Sequence, residues 1–162
     1  MYSSTHARAS TSSARRRDVG SVTSRRRARR TAIDILYQAD ITDADPTLVL
    51  AEWIDAGRPV STFSAELVEG VERHLPEIDL LLEEHTEGWT VARMAALDRT
   101  ILRVAVHELH HRPDIPPSVA ISEAVEAATD LSAEGAPRFV NGILGKIASE
   151  MRPAAAEDPG GA

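Results

Sequence analysis

The chain contains no cysteine, which excludes disulfides and thiolate metal sites together. No apolar stretch approaches the roughly 20 residues that a bilayer-spanning helix needs, and no hydrophobic segment of signal-peptide type follows Met1. A cytoplasmic protein that does not enter a membrane is the expectation. Period-two alternation of apolar and polar residues is missing as well, so no strand is expected. Phosphate-cradling G-x-x-x-x-G-K-[ST] loops are absent, G-x-G-x-x-G does not occur after a strand, and no local context suggests a Ser/His/Asp arrangement. These gaps argue for a protein that is not an enzyme and carries neither cofactor nor metal.

What is present is a helical pattern with a divided charge. The net charge of −7 over 162 residues conceals nine Arg against one Asp in residues 1–30, while the rest of the chain is strongly acidic. The basic end attracts polyanions; the acidic body repels nucleic acid except along a restricted face and suits a basic protein partner. One chain could then join RNA to a second protein. Residues 1–23 are Ser, Thr, Ala and Arg with almost no large apolar groups and are expected to form a disordered tail, either a native basic arm or an organellar transit peptide. Residues 153–162 read as a second tail, leaving one domain at 24–152.

Within that domain Ser24 is a candidate N-cap, with Ala28, Ala32, Ile35, Leu36 and Ala39 on one helical face. Four arginines at such a helix start oppose its dipole, which points to an external anion. Asp45 and Pro46 read as N-cap and N1 of a helix to about Ala56, with Leu48, Val49, Trp53 and Ile54 offered to the core. Further helices are expected over Thr62 to His74, Pro76 to about Glu87 and Ala96 to His111, with a short turn at Trp89 to Ala95. Pro116 and Pro117 open another, whose Ile121, Ala124, Val125 and Ala128 share a stripe. Gly135 breaks it, and Pro137 starts a last helix facing inward through Val140, Ile143, Leu144 and Ile147. Gly142 and Gly145 inside that helix each cost roughly 1 kcal/mol relative to Ala, which suggests close backbone approach at one of them.

The segment Asp114 to Lys146, DIPPSVAISEAVEAATDLSAEGAPRFVNGILGK, together with LDRTILRVAVHEL at Leu97 to Leu109, resembles the NusB family of bacterial transcription antitermination factors. The likeness covers about fifty residues, in the D-R-x-I-L-R-x-A-x-x-E-L, V-A-I-N-E-A and F-V-N-G-I-L-D-K motifs. The chain departs from them at Ser122, Thr129, Gly135 and Gly145. The resemblance implies an all-α fold of about seven helices in two packed subdomains, and antitermination by assembly rather than catalysis. The partners it implies are boxA-type single-stranded RNA, the ribosomal protein NusE and the RNA polymerase antitermination complex, with the chain itself a monomer or a homodimer. A ribosomal RNA cytosine methyltransferase with a NusB-like region would need a large α/β domain for which 162 residues leave no room.

Candidate site residues fall in three groups. Arg25, Arg26, Arg27, Arg29 and Arg30 form a row of guanidinium forks suited to phosphate; taken alone it is equally a solvated basic helix start, and the resemblance makes it the RNA-contacting motif. Arg138 and Phe139 join a charge to a ring at a helix N-terminus, where a base could stack, although periodicity alone makes Phe139 a core residue. Tyr37 and Asp98 face NusE by resemblance; otherwise they are a half-buried tyrosine and a first-turn carboxylate. The alternative function comes from His107-Glu108-Leu109-His110-His111, which satisfies the H-E-x-x-H of zinc peptidases. Arg112 and Pro113 end the helix at once, and Asp114 and Pro117 stand where the extended motif has Gly and His. Glu123 or Glu126 would have to supply a third ligand, so the histidines are expected at the surface.

Overall fold

In the computed structural model the backbone of residues 11–151 and the side chains of residues 24–151 are described. Among them stand seven α-helices, α1 Thr11–Thr42, α2 Pro46–Asp55, α3 Thr62–Arg73, α4 Leu75–Glu84, α5 Ala96–His111, α6 Pro117–Leu131 and α7 Ala136–Met151, with one 3-10 turn at Val91–Arg93 and no strand. No described helix is long and apolar enough to cross a membrane. Residues 1–10 and 152–162 lie outside the described residues, and with them the whole of the expected C-terminal tail and the first part of the expected N-terminal one.

Local chemistry sets most boundaries. The Asp45 carboxylate accepts from the Thr47 backbone N–H at 2.9 Å and caps α2, whose first residue is Pro46. Ser61 caps α3 through the Ser64 N–H at 3.1 Å. Gly135, at φ +90°, makes the sharp turn into α7 that a Cβ would strain. α1, by contrast, begins before Ser24, so that residue is not its N-cap. The arginines after it are interior to the helix, and the dipole argument for an external anion does not apply to them.

α5 is the centre. It packs against α1, α3, α4, α6 and α7, and Ile101, Leu102, Val104, Ala105, Val106 and Leu109 are all buried on it. α1, α2 and α3 form one packed group and α5, α6 and α7 the other, joined through α1–α5 and α3–α5 contacts into one apolar cluster. Arginines on α5 fasten neighbours to it: Arg103 makes a two-pronged pair with Asp79 of α4 at 2.8 and 2.9 Å, and Arg99 reaches Asp40 of α1 at 2.7 Å.

Three packing expectations fail. Leu48 and Ile54 are exposed on α2, at 62% and 53%, because Val49 and Leu50 supply its inward face at the rim of the bundle. A Cβ at Gly142 or Gly145 would meet nothing, so neither marks a close approach. The close approach is at Gly70 of α3, where a Cβ would collide with the His107 imidazole. His107 is accordingly buried between α3 and α5 and not at the surface.

Candidate nucleic-acid interface

The arginine row of α1 meets a matching row of acids. Arg26 holds Glu123 of α6 with two prongs, Nε to Oε2 at 3.1 Å and Nη2 to Oε1 at 2.9 Å, and also reaches Glu126. One turn later Arg30 donates to Asp130 at 2.6 Å. The rising order of these pairs means that α1 and α6 run parallel, with α5 beneath them. Arg25 lies 3.7 Å from Asp114, and its guanidinium sits 4.9 Å from the centre of the Phe63 ring.

Arg29 points the other way. It is buried, and its Nε donates to Glu108 Oε1 at 2.7 Å. Burial pushes the Glu108 carboxyl up while Arg29 and Arg112 oppose the shift. The Arg29 guanidinium also approaches the Phe63 ring at 5.3 Å, as does that of Arg112 at 5.1 Å. Arg27 is the member that is exposed and has no carboxylate partner among the described residues. The row therefore divides into one internal tie, Arg29, three surface arginines already counter-charged, and one open cation.

The second group converges elsewhere. Phe139 is half-buried against the core and lines a shallow groove with Trp89, Arg93, Met94 and Asp98. Arg138 beside it is exposed, and Trp89 is 55% exposed. Asp98, assigned to a protein partner, and Phe139, assigned to RNA, thus share one groove. Tyr37 is half-buried on α1.

The H-E-x-x-H residues do not assemble as a peptidase centre. Glu108, which would have to activate water, is held by Arg29 on one side of α5, while His107 and His111 stack with His74 on another. Glu123 and Glu126 hold Arg26 instead of a metal. Sequence reasoning missed Glu108 as the partner of Arg29, although the signal was there: Glu108 follows Ile101 and Ala105 on the inward stripe of α5, and a carboxylate in such a stripe requires a cation.

Fold and site together define an all-helical protein in which a basic first helix is bound, side chain by side chain, to an acidic helix across a central one, with no catalytic constellation assembled among the described residues. The sequence profile of the NusB family matches residues 26–149. The transcription antitermination protein NusB of Saccharopolyspora erythraea is 48% identical over 127 residues, covering 76% of this chain and 86% of that protein, and that of Salinispora arenicola is 47% identical over 128, covering 76% and 94%. Among solved structures, NusB of T. maritima superimposes with a TM-score of 0.72 at 34% identity, covering 80% of this chain and 93% of that one. A crystal structure of antitermination factors NusB and NusE in complex with double-stranded RNA gives 0.69 at 28% identity, covering 78% and 96%. The chain belongs to the NusB family, whose members are non-catalytic transcription antitermination factors.

Proposed function

We propose that this chain acts in transcription antitermination by holding boxA-type RNA of ribosomal RNA transcripts together with the ribosomal protein NusE within the RNA polymerase antitermination complex. The observation that carries the reading is the likeness, over most of both chains, to an antitermination factor whose structure contains NusE and RNA. The charge division supports it. Arg27 is the open cation at the basic face, and the outer edges of Arg25, Arg26 and Arg30 remain accessible beside their carboxylates. Phosphates compete with those carboxylates at the three counter-charged arginines but not at Arg27. Arg138 and Phe139 offer a charge and a partly open ring to an unstacked base, while Tyr37, Asp98 and the acidic surface suit the basic ribosomal partner.

Arg27→Gln tests the RNA half, with Arg58→Gln, at an exposed position outside both proposed surfaces, as a control for general loss of charge. The account expects weaker boxA binding for Arg27→Gln and a salt dependence flatter by about 0.7 log units per log unit of salt for each phosphate that is no longer neutralised. Unchanged affinity in Arg27→Gln would remove Arg27 from the RNA surface.

A further inference from the structure

Six histidines are present in the chain, and two of them, His74 and His111, meet a carboxylate at one seam. His74 lies between α3 and α4, Glu77 in the first turn of α4, and His111 is the last residue of α5. The imidazoles of His74 and His111 stack with centroids 3.6 Å apart and planes 9° apart. The Glu77 carboxylate lies beside both, with Oε1 3.6 Å from His111 Nε2 and Oε2 3.9 Å from His74 Nδ1. Those separations are too long for hydrogen bonds, and His111 Nε2, shielded from solvent, has no hydrogen-bond partner among the described residues. One ligand atom from each of His74, Glu77 and His111 lies within 4.8 Å of the others.

From this juxtaposition we infer that His74, Glu77 and His111 form a binding site for a zinc-class divalent cation. In a tetrahedral zinc site, with metal–ligand distances near 2.0–2.1 Å, donor atoms stand about 3.3 Å apart. The Glu77 oxygens stand 3.6 and 3.9 Å from the two imidazole nitrogens, and the three donor atoms together lie within 4.8 Å of one another, so they must draw closer on binding. Closure requires the two stacked rings to tilt so that their lone pairs converge, and both side chains border an open cavity that leaves room for the tilt and for water in the fourth position. Two imidazoles and one carboxylate favour Zn²⁺ or Co²⁺ over Mg²⁺.

Electrostatics permit it. Two arginines border the same cavity, Arg73 and Arg112. Arg112 is engaged by Asp114 at 3.0 Å and Glu66 at 2.9 Å, and Glu69 adds a further negative charge to the cavity wall. The site is structural: the ion would clip the α3–α4 junction to the end of α5, and Glu108 faces away from it toward Arg29. The inference is independent of the antitermination reading, because no residue of the proposed RNA or NusE surfaces is a ligand.

Full-length, untagged protein stripped with chelator is titrated with Co²⁺, followed by its visible absorption, and with Zn²⁺ by calorimetry, with Mg²⁺ as the negative probe. The expected result is one Co²⁺ or Zn²⁺ per chain, an absorption band of tetrahedral intensity, and a zinc-dependent rise in Tm. Glu77→Gln, at a half-exposed position outside the core, and His111→Gln should each weaken binding roughly tenfold or more, while the neighbouring His110→Gln should not. Helical circular dichroism shows which variants are folded, and Glu77→Gln alone suffices if His111→Gln is not. No zinc binding by the wild type, or binding that Glu77→Gln and His110→Gln leave alike, overturns the proposal.

Discussion

Arg29 and Arg27 stand two positions apart on α1, and their surroundings give them opposite work. The Arg29 side chain is 9% exposed and the Glu108 side chain 1%, so each is the other's compensation for leaving water. Arg29→Ala strands the Glu108 carboxylate and is expected to destabilise the fold by about 3–5 kcal/mol in urea unfolding. Joint replacement by Met and Leu should recover much of that deficit, because the penalty belongs to the unpaired charge. A small effect of Arg29→Ala alone would mean that Glu108 is protonated and needs no partner. Neutralising the whole arginine row at once would therefore confound folding with RNA binding. At this scale the sequence was legible in residue type but not in direction: five arginines in six positions announce a basic surface, yet which of them turns inward depends on Glu108, seventy-nine positions away.

Among the elements, α5 was readable from end to end, since an apolar stripe running from Ala96 to a helix-ending Arg112-Pro113 leaves little freedom. The cap and proline signals at Asp45-Pro46 and Pro117 likewise located α2 and α6. The inward face of α2 was not legible, because Leu48, Val49, Leu50, Trp53 and Ile54 in a ten-residue helix at the rim do not say which of them lacks a neighbour. The burial of His107 was hidden for a related reason: it depends on Gly70 of α3, which leaves space for the ring, and no local pattern on α5 reports a missing Cβ on another helix.

That seam gives the fold an acid sensitivity. Burial, with His111, His74 and Arg112 adding to it, lowers the His107 pKa from 6.5 to about 4. The unfolded chain then binds the proton more readily than the folded one between those values, so the contribution is intact above pH 6.5 and is lost as pH falls toward 4. After allowance for solvent screening the loss is roughly 2 kcal/mol. Burial opposes charging of His85, but its hydrogen bonds to the Leu81 carbonyl and to Glu150, both at 2.7 Å, raise its pKa, so it works in the opposite sense and favours the fold at lower pH. Urea unfolding across this range, in wild type and in His107→Gln, separates the two: the wild type should lose stability more steeply on acidification, and equal slopes would contradict the assignment.

Taken whole, the molecule is a polyelectrolyte folded against itself. The basic first helix is tied by Arg26 and Arg30 to acids of α6 and by Arg29 to the central helix, which leaves, among the described residues of its arginine row, a cationic edge at Arg27. On the proposed function such an edge would bind RNA modestly when alone and with strong salt dependence, and a basic protein seated on the acidic surface would extend the RNA-binding face. The fold class was legible from helical periodicity along the chain, and the family from the resemblance of the D-R-x-I-L-R and F-V-N-G-I-L segments to its motifs. The counter-charging of the arginine row was not, since it is made between helices about a hundred residues apart in sequence.

The central claim is that RNA recognition here is specific and completed by a second protein. Fluorescence anisotropy of a boxA RNA and a scrambled RNA of equal length and charge, titrated at fixed salt with and without purified NusE, tests it most directly. The account predicts a preference for boxA that sharpens when NusE is present; equal affinity for the two RNAs, unchanged by NusE, would contradict it.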